Sequence, residues 1–109
     1  MATNDYTAIL NELKGEITNV VVSSASAYAD AAKHDAQALL SDMDANLQTW
    51  TQQLATGEIS AQDLAFLVKA QKDLMKMQAL KQAGLSAIAV DKLKSDVIRV
   101  ITSTIIGKI

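Results

Sequence analysis

The chain's single histidine, His34, stands four residues after Asp30, so on a helix the imidazole and the carboxylate would share a face and offer two ligands to a metal ion. The next residue on that face is Ala38, which leaves the pair without a third ligand from its own helix, and no nucleophile stands where His34 could activate it as a base. A solvated histidine is the expectation. The stretch DMDAN, residues 42–46, begins like a calcium-binding loop, with Asp42, Asp44 and Asn46 at alternate positions. Such a loop needs Gly at its sixth position and Glu at its twelfth, where this chain has Leu47 and Gln53, and on a helix the three polar residues point in different directions. Lys69, Lys72 and Lys76, with Lys81 beyond, form a basic stripe of the kind that meets phosphates. Asp73 interrupts it, no aromatic side chain accompanies it for base stacking, and the chain carries a net charge of −2, so a solvated helix face is expected and nucleic acid is not an expected partner.

The absence of cysteine removes thiolate nucleophiles, disulfides and Cys-based zinc sites. No two titratable residues are spaced for acid–base work on one substrate. The sequence therefore predicts no catalytic residue, no cofactor and no metal site, and a protein that is not an enzyme.

The segment VIRVITSTIIGKI, residues 97–109, carries the sharpest functional signal. Its only charges are Arg99 and Lys108, and β-branched apolar residues occupy most of its circumference. A helix apolar over so wide an arc needs more than one neighbour, because each Ile or Val left in water forgoes about 1.5–3 kcal/mol. The cover would be another subunit, an N-terminal arm folded back onto it, or lipid. Another subunit is the preferred expectation, with an interface of Val97, Ile98, Val100, Ile101, Ile105, Ile106 and Ile109 joined by Ile9, Leu10 and Leu13 from the first arm. The corresponding function is a non-enzymatic helical assembly module that forms a homo-oligomer or binds a helical protein partner. The alternative is a membrane-active protein whose last helix enters lipid.

The elements that would position these residues are helices. Half of the 109 residues are apolar, only Tyr6, Tyr28, Trp50 and Phe66 are aromatic, and no proline interrupts the chain. Apolar or small residues recur from Tyr6 to Leu54 about every 3.7 residues, which is the period of a helix. In TGEISAQDL, residues 56–64, Gly57 suits a helix C-terminus, Ser60 and Asp63 a capping box, and Ile59 and Leu64 a hydrophobic staple. Gly84 suits a second C-terminus and Ser86 a second N-cap. The expected fold class is all-α in one domain, residues 1–109, with helices over about 5–56, 61–83 and 87–107, the last two separate or continuous.

That pattern fits an antiparallel hairpin of two long helices turning near Gly57 or, if the arms kink near residues 23–26 and at Gly84, a three- or four-helix bundle. Folded about Gly57, VVVSSASAYADAA (residues 20–32) falls opposite AGLSAIAVDK (residues 83–92), so Ser24, Ala27, Gly84 and Ala87 are expected where two bare helix faces approach closely. Residues 1–57 hold seven acids against Lys14 and Lys33, and residues 58–109 hold eight bases against five acids, which favours packing half on half. MATNDYTAIL lacks the basic and apolar segments of a signal peptide, and the uncharged run over residues 17–29 is short and polar. A cytoplasmic location is the default expectation, with export without a cleaved signal as the alternative.

Overall fold

Tyr6, Ile9, Leu13, Ile17 and Val21 repeat at three and four residues, and in the computed structural model, which describes residues 2–108, all five are buried along one face of a helix. This helix is α1 (Ala2–Ser24). It is followed by α2 (Ala29–Thr56), α3 (Ala61–Ala70), α4 (Gln78–Ala83) and α5 (Ala87–Lys108), with 3-10 turns at Ser26–Tyr28 and Lys72–Leu74 and no strand among the described residues. The fold is all-α.

The helix expected over 5–56 is two helices, divided near residues 23–26 as in the kinked alternative. Ala25 leaves the helical region at φ −130°, ψ 49°, one 3-10 turn follows, and Tyr28 turns again at φ −126°, ψ 44°. From Thr18 to Ser24 the chain has only β-branched residues, Asn and Ser, none of them a strong helix former, so the helix yields there without Gly or Pro. An unbroken helix over 5–56 would be about 78 Å long; the whole chain measures 42 × 23 × 19 Å.

Once turned, α1 packs between α2 and α5. It runs antiparallel to α2, since Tyr6 near its start reaches Asp44, and antiparallel to α5, since Glu12 pairs with Lys108 at 3.0 Å while Asn19–Ser24 border Asp96–Val100. Ala32, Ala36, Leu39, Leu40, Met43 and Leu47 bring the buried face of α2 to this core, and Val90, Leu93, Val97, Ile101 and Ile105 bring that of α5. Glu12–Lys108 is the one ion pair among the described residues that joins the acidic half to the basic half. Charge asymmetry therefore contributes little to the packing beside the apolar seam.

The punctuation around residue 57 forms as its chemistry dictates. Gly57 takes φ 84° and donates its N–H to the carbonyls of Gln53 and Leu54. The Asp63 N–H donates to Ser60 Oγ at 3.1 Å, and the Ser60 N–H donates to Asp63 Oδ2 at 3.0 Å. Gly84, at φ 114°, closes α4, and Ser86 Oγ accepts from the Ala89 N–H to open α5.

A correction falls between residues 71 and 77, where a helix was expected to continue to residue 83. Met75 is extended (φ −75°, ψ 120°), and Met77 is the one non-glycine residue with positive φ among the described residues, at 46°, a conformation that costs about 1–2 kcal/mol. The break lets Met75 and Met77 enter the core together. On a helix, residues two apart point in nearly opposite directions, whereas in extended backbone they share a face.

Candidate functional site

The expected interface residues divide into two groups. Ile9, Leu13, Val97, Ile101 and Ile105 are fully buried within the single chain, where α1 and α5 face one another. This corrects their placement on a subunit interface: the wide apolar arc of α5 is covered by the N-terminal arm, which reaches it because the chain turns at residues 24–29. Leu10, Ile98 and Val100 are half-buried at the edges of that seam, and Ile106 remains exposed. Ile109 lies outside the described residues.

The expected close approach is corrected in the same way. Ser24, Ala27, Gly84 and Ala87 are all exposed, so no pair of bare helix faces meets there. At Gly84 an added Cβ would lie 3.6 Å from Tyr28 Oη, an ordinary contact, and it is the backbone at φ 114° that demands glycine. Ala27→Leu and Ala87→Leu should each change stability by no more than about 0.5 kcal/mol, because the added side chains extend into solvent. Thermal unfolding of the two variants checks this; a drop of several degrees in either would restore the close-approach reading.

The polar candidates separate similarly. Asp30, His34, Asp42 and Asn46 are exposed on α2, with His34 Nδ1 at 4.0 Å from Asp35 Oδ1. Asp44, the central residue of the calcium-like stretch, is engaged by α1: Tyr6 Oη donates to Asp44 Oδ1 at 2.6 Å and to its carbonyl at 3.1 Å. No group of three or more His, Cys, Asp or Glu side chains converges among the described residues. Lys69, Lys76 and Lys81 are exposed, and Lys72 pairs with Asp91 of α5 at 3.1 Å.

Burial, then the bond to Asp44, then the charge of Asp44 push the Tyr6 hydroxyl well above its ordinary value of 10.0. A raised folded value means that the neutral phenol's contribution is fully present below pH 10 and is lost as pH rises above it. Tyr6→Phe should cost about 1–2 kcal/mol near neutrality, since Asp44 is partly solvated. Urea unfolding of both proteins between pH 7 and 11 should show the wild-type advantage shrinking above pH 10.

Sequence reasoning missed Asp35. Its carboxylate is 5% exposed and accepts from the Ala79 N–H at 3.0 Å and the Leu80 N–H at 2.8 Å. It therefore caps α4, which has no cap of its own because Met77 precedes it. The available signal was phase: Asp35 falls three residues after Ala32 and four before Leu39, on the stripe that α2 buries.

Beside Asp35 lies a cleft of about 330 Å³ between α2 and residues 71–78. Leu39, Met43, Met75 and Met77 form its apolar floor, and its rim is polar, with Asp42, Asn46 and Lys76, except for Leu74. Methionine lets such a floor adapt to different apolar shapes. Among the described residues Phe66, Leu74 and Ile88 are the most exposed of the large apolar side chains, at 73%, 67% and 85%. Leu74 lies two residues beyond Lys72, and Ile88 lies one turn before that lysine's partner Asp91, so both flank the junction where the turn before α4 meets α5. No described helix is long and apolar enough to cross a membrane. No family model matches the chain, and no curated protein or solved structure is similar to it, so any functional reading rests on these surfaces.

Proposed function

We propose that this protein is a non-enzymatic helical assembly module that associates with a second copy of itself or with another helical protein. The observation that carries the reading is the exposure of Phe66, Leu74 and Ile88 on segments whose opposite faces are buried. Residues with that much apolar surface gain by association, and helices dock into partner grooves through apolar anchors of this kind. The contribution of α5 is its outer surface, Ile88 and Ile106, rather than the inner stripe that α1 covers.

Light scattering after size exclusion, at a low and a high protein concentration, tests it. The expected mass at high concentration is a multiple of 11.6 kDa, reduced to one chain by Phe66→Glu combined with Ile88→Glu at an unchanged melting temperature. A single-chain mass at both concentrations would remove self-association from the reading.

A further inference from the structure

Residues 70–83, AQKDLMKMQALKQA, hold no Gly, Pro or β-branched residue and are rich in Ala, Leu, Met, Lys and Gln, the composition of an uninterrupted helix. The structure breaks the helix there, with Met75 extended and Met77 at φ 46°. One side chain from another helix supports the break: buried Asp35, whose two oxygens take the N–H groups of Ala79 and Leu80. The break also buries Met75, Met77 and Leu80 together. A continuous helix would keep Met75 on the face of Leu64 and Val68 but turn Met77 and Leu80 to the far side, in line with Phe66. Local preference and tertiary contact draw this segment toward different conformations.

We infer that residues 71–83 are a two-state element governed by Asp35. In the closed form Asp35 caps α4, and Met75 and Met77 floor the cleft. In the released form α3 continues unbroken from Ala61 to Ala83, and Phe66, Met77 and Leu80 lie along one outer face of the lengthened helix. The switch stands on its own; its use, enlarging an apolar surface around Phe66, rests on the assembly reading above.

The 13Cα chemical shifts of residues 72–77 test it. Asp35→Asn keeps the shape of the side chain but offers one carbonyl oxygen to two donors, so the population of the continuous helix should rise about tenfold or more and move these shifts in the helical direction. Adding Lys76→Pro should cancel the movement: Met75 already has the extended conformation a following proline demands, and proline forbids the continuous helix. Should Asp35→Asn fail to fold, relaxation dispersion on the wild type should reveal a minor helical state at 72–77 that is absent from Lys76→Pro. Shifts in Asp35→Asn that stay in place or move toward coil would overturn the proposal. So would the lack of a minor helical state in the wild type, should that variant not fold. Light scattering on the same samples reads association separately, so the switch and the assembly can each fail without the other.

Discussion

Replacing Ile101 with alanine should lower the unfolding free energy by about 2–5 kcal/mol, whereas Ile106→Ala should change it by no more than about 0.5 kcal/mol. The two residues are five positions apart on the same helix and chemically identical. Ile101 is fully buried where α5 meets α1, and Ile106 is 39% exposed beyond the seam. Removing three carbons from Ile101 forfeits their transfer free energy and leaves a cavity that Leu13, Ile17 and Val97, all fully buried, have little room to fill. Because the seam lies within one chain, the urea midpoint of Ile101→Ala should not depend on protein concentration once the proposed association is removed by Phe66→Glu and Ile88→Glu. A midpoint that still rises with concentration in that background would instead place Ile101 between subunits.

Asp35→Ala should destabilise the protein by about 2–3 kcal/mol, roughly 10 °C or more in melting temperature for a chain of this size. The carboxylate satisfies two backbone donors at the start of a six-residue helix that has no other cap. Alanine would leave the Leu80 N–H, which is buried with its side chain, without a partner. The same substitution at Asp42, exposed on the same helix, should be nearly neutral, and that contrast isolates the cap from loss of charge. Paired thermal melts of Asp35→Ala and Asp42→Ala give the answer; equal effects would mean that the cap contributes nothing.

The sequence made some boundaries legible because their chemistry is local. Gly57, the Ser60–Asp63 box, Gly84 and Ser86 each satisfy helix-end groups within a few residues, and each sits where its type implied. The break at residues 24–29 was legible only as an alternative, the kink near residues 23–26. No glycine or proline marks it; a run of weak helix formers yields because folding back covers α1 on two sides. The break at residues 71–77 was not legible, because strong helix formers there are overridden by Asp35, 44 and 45 positions before the two N–H groups it accepts. The apolar arc of residues 97–109 was readable as needing cover, but what covers it depended on the unmarked turn at 24–29. For the same reason Tyr6–Asp44 was not legible: an unbroken first helix holds those residues far apart.

The chain turns back at residues 24–29 so that α1 lies on α2 and α5 of the same molecule. A chain without cysteine allows two to be placed freely, at exposed Thr7 and Ala45, and spin-labelled. Measured by double electron–electron resonance in an excess of unlabelled protein, the distance between the labels should be short, below about 30 Å, because the neighbouring residues Tyr6 and Asp44 touch at 2.6 Å. A distance near 57 Å, the length of about 38 helical residues, would mean that α1 and α2 form one continuous helix and would contradict the account.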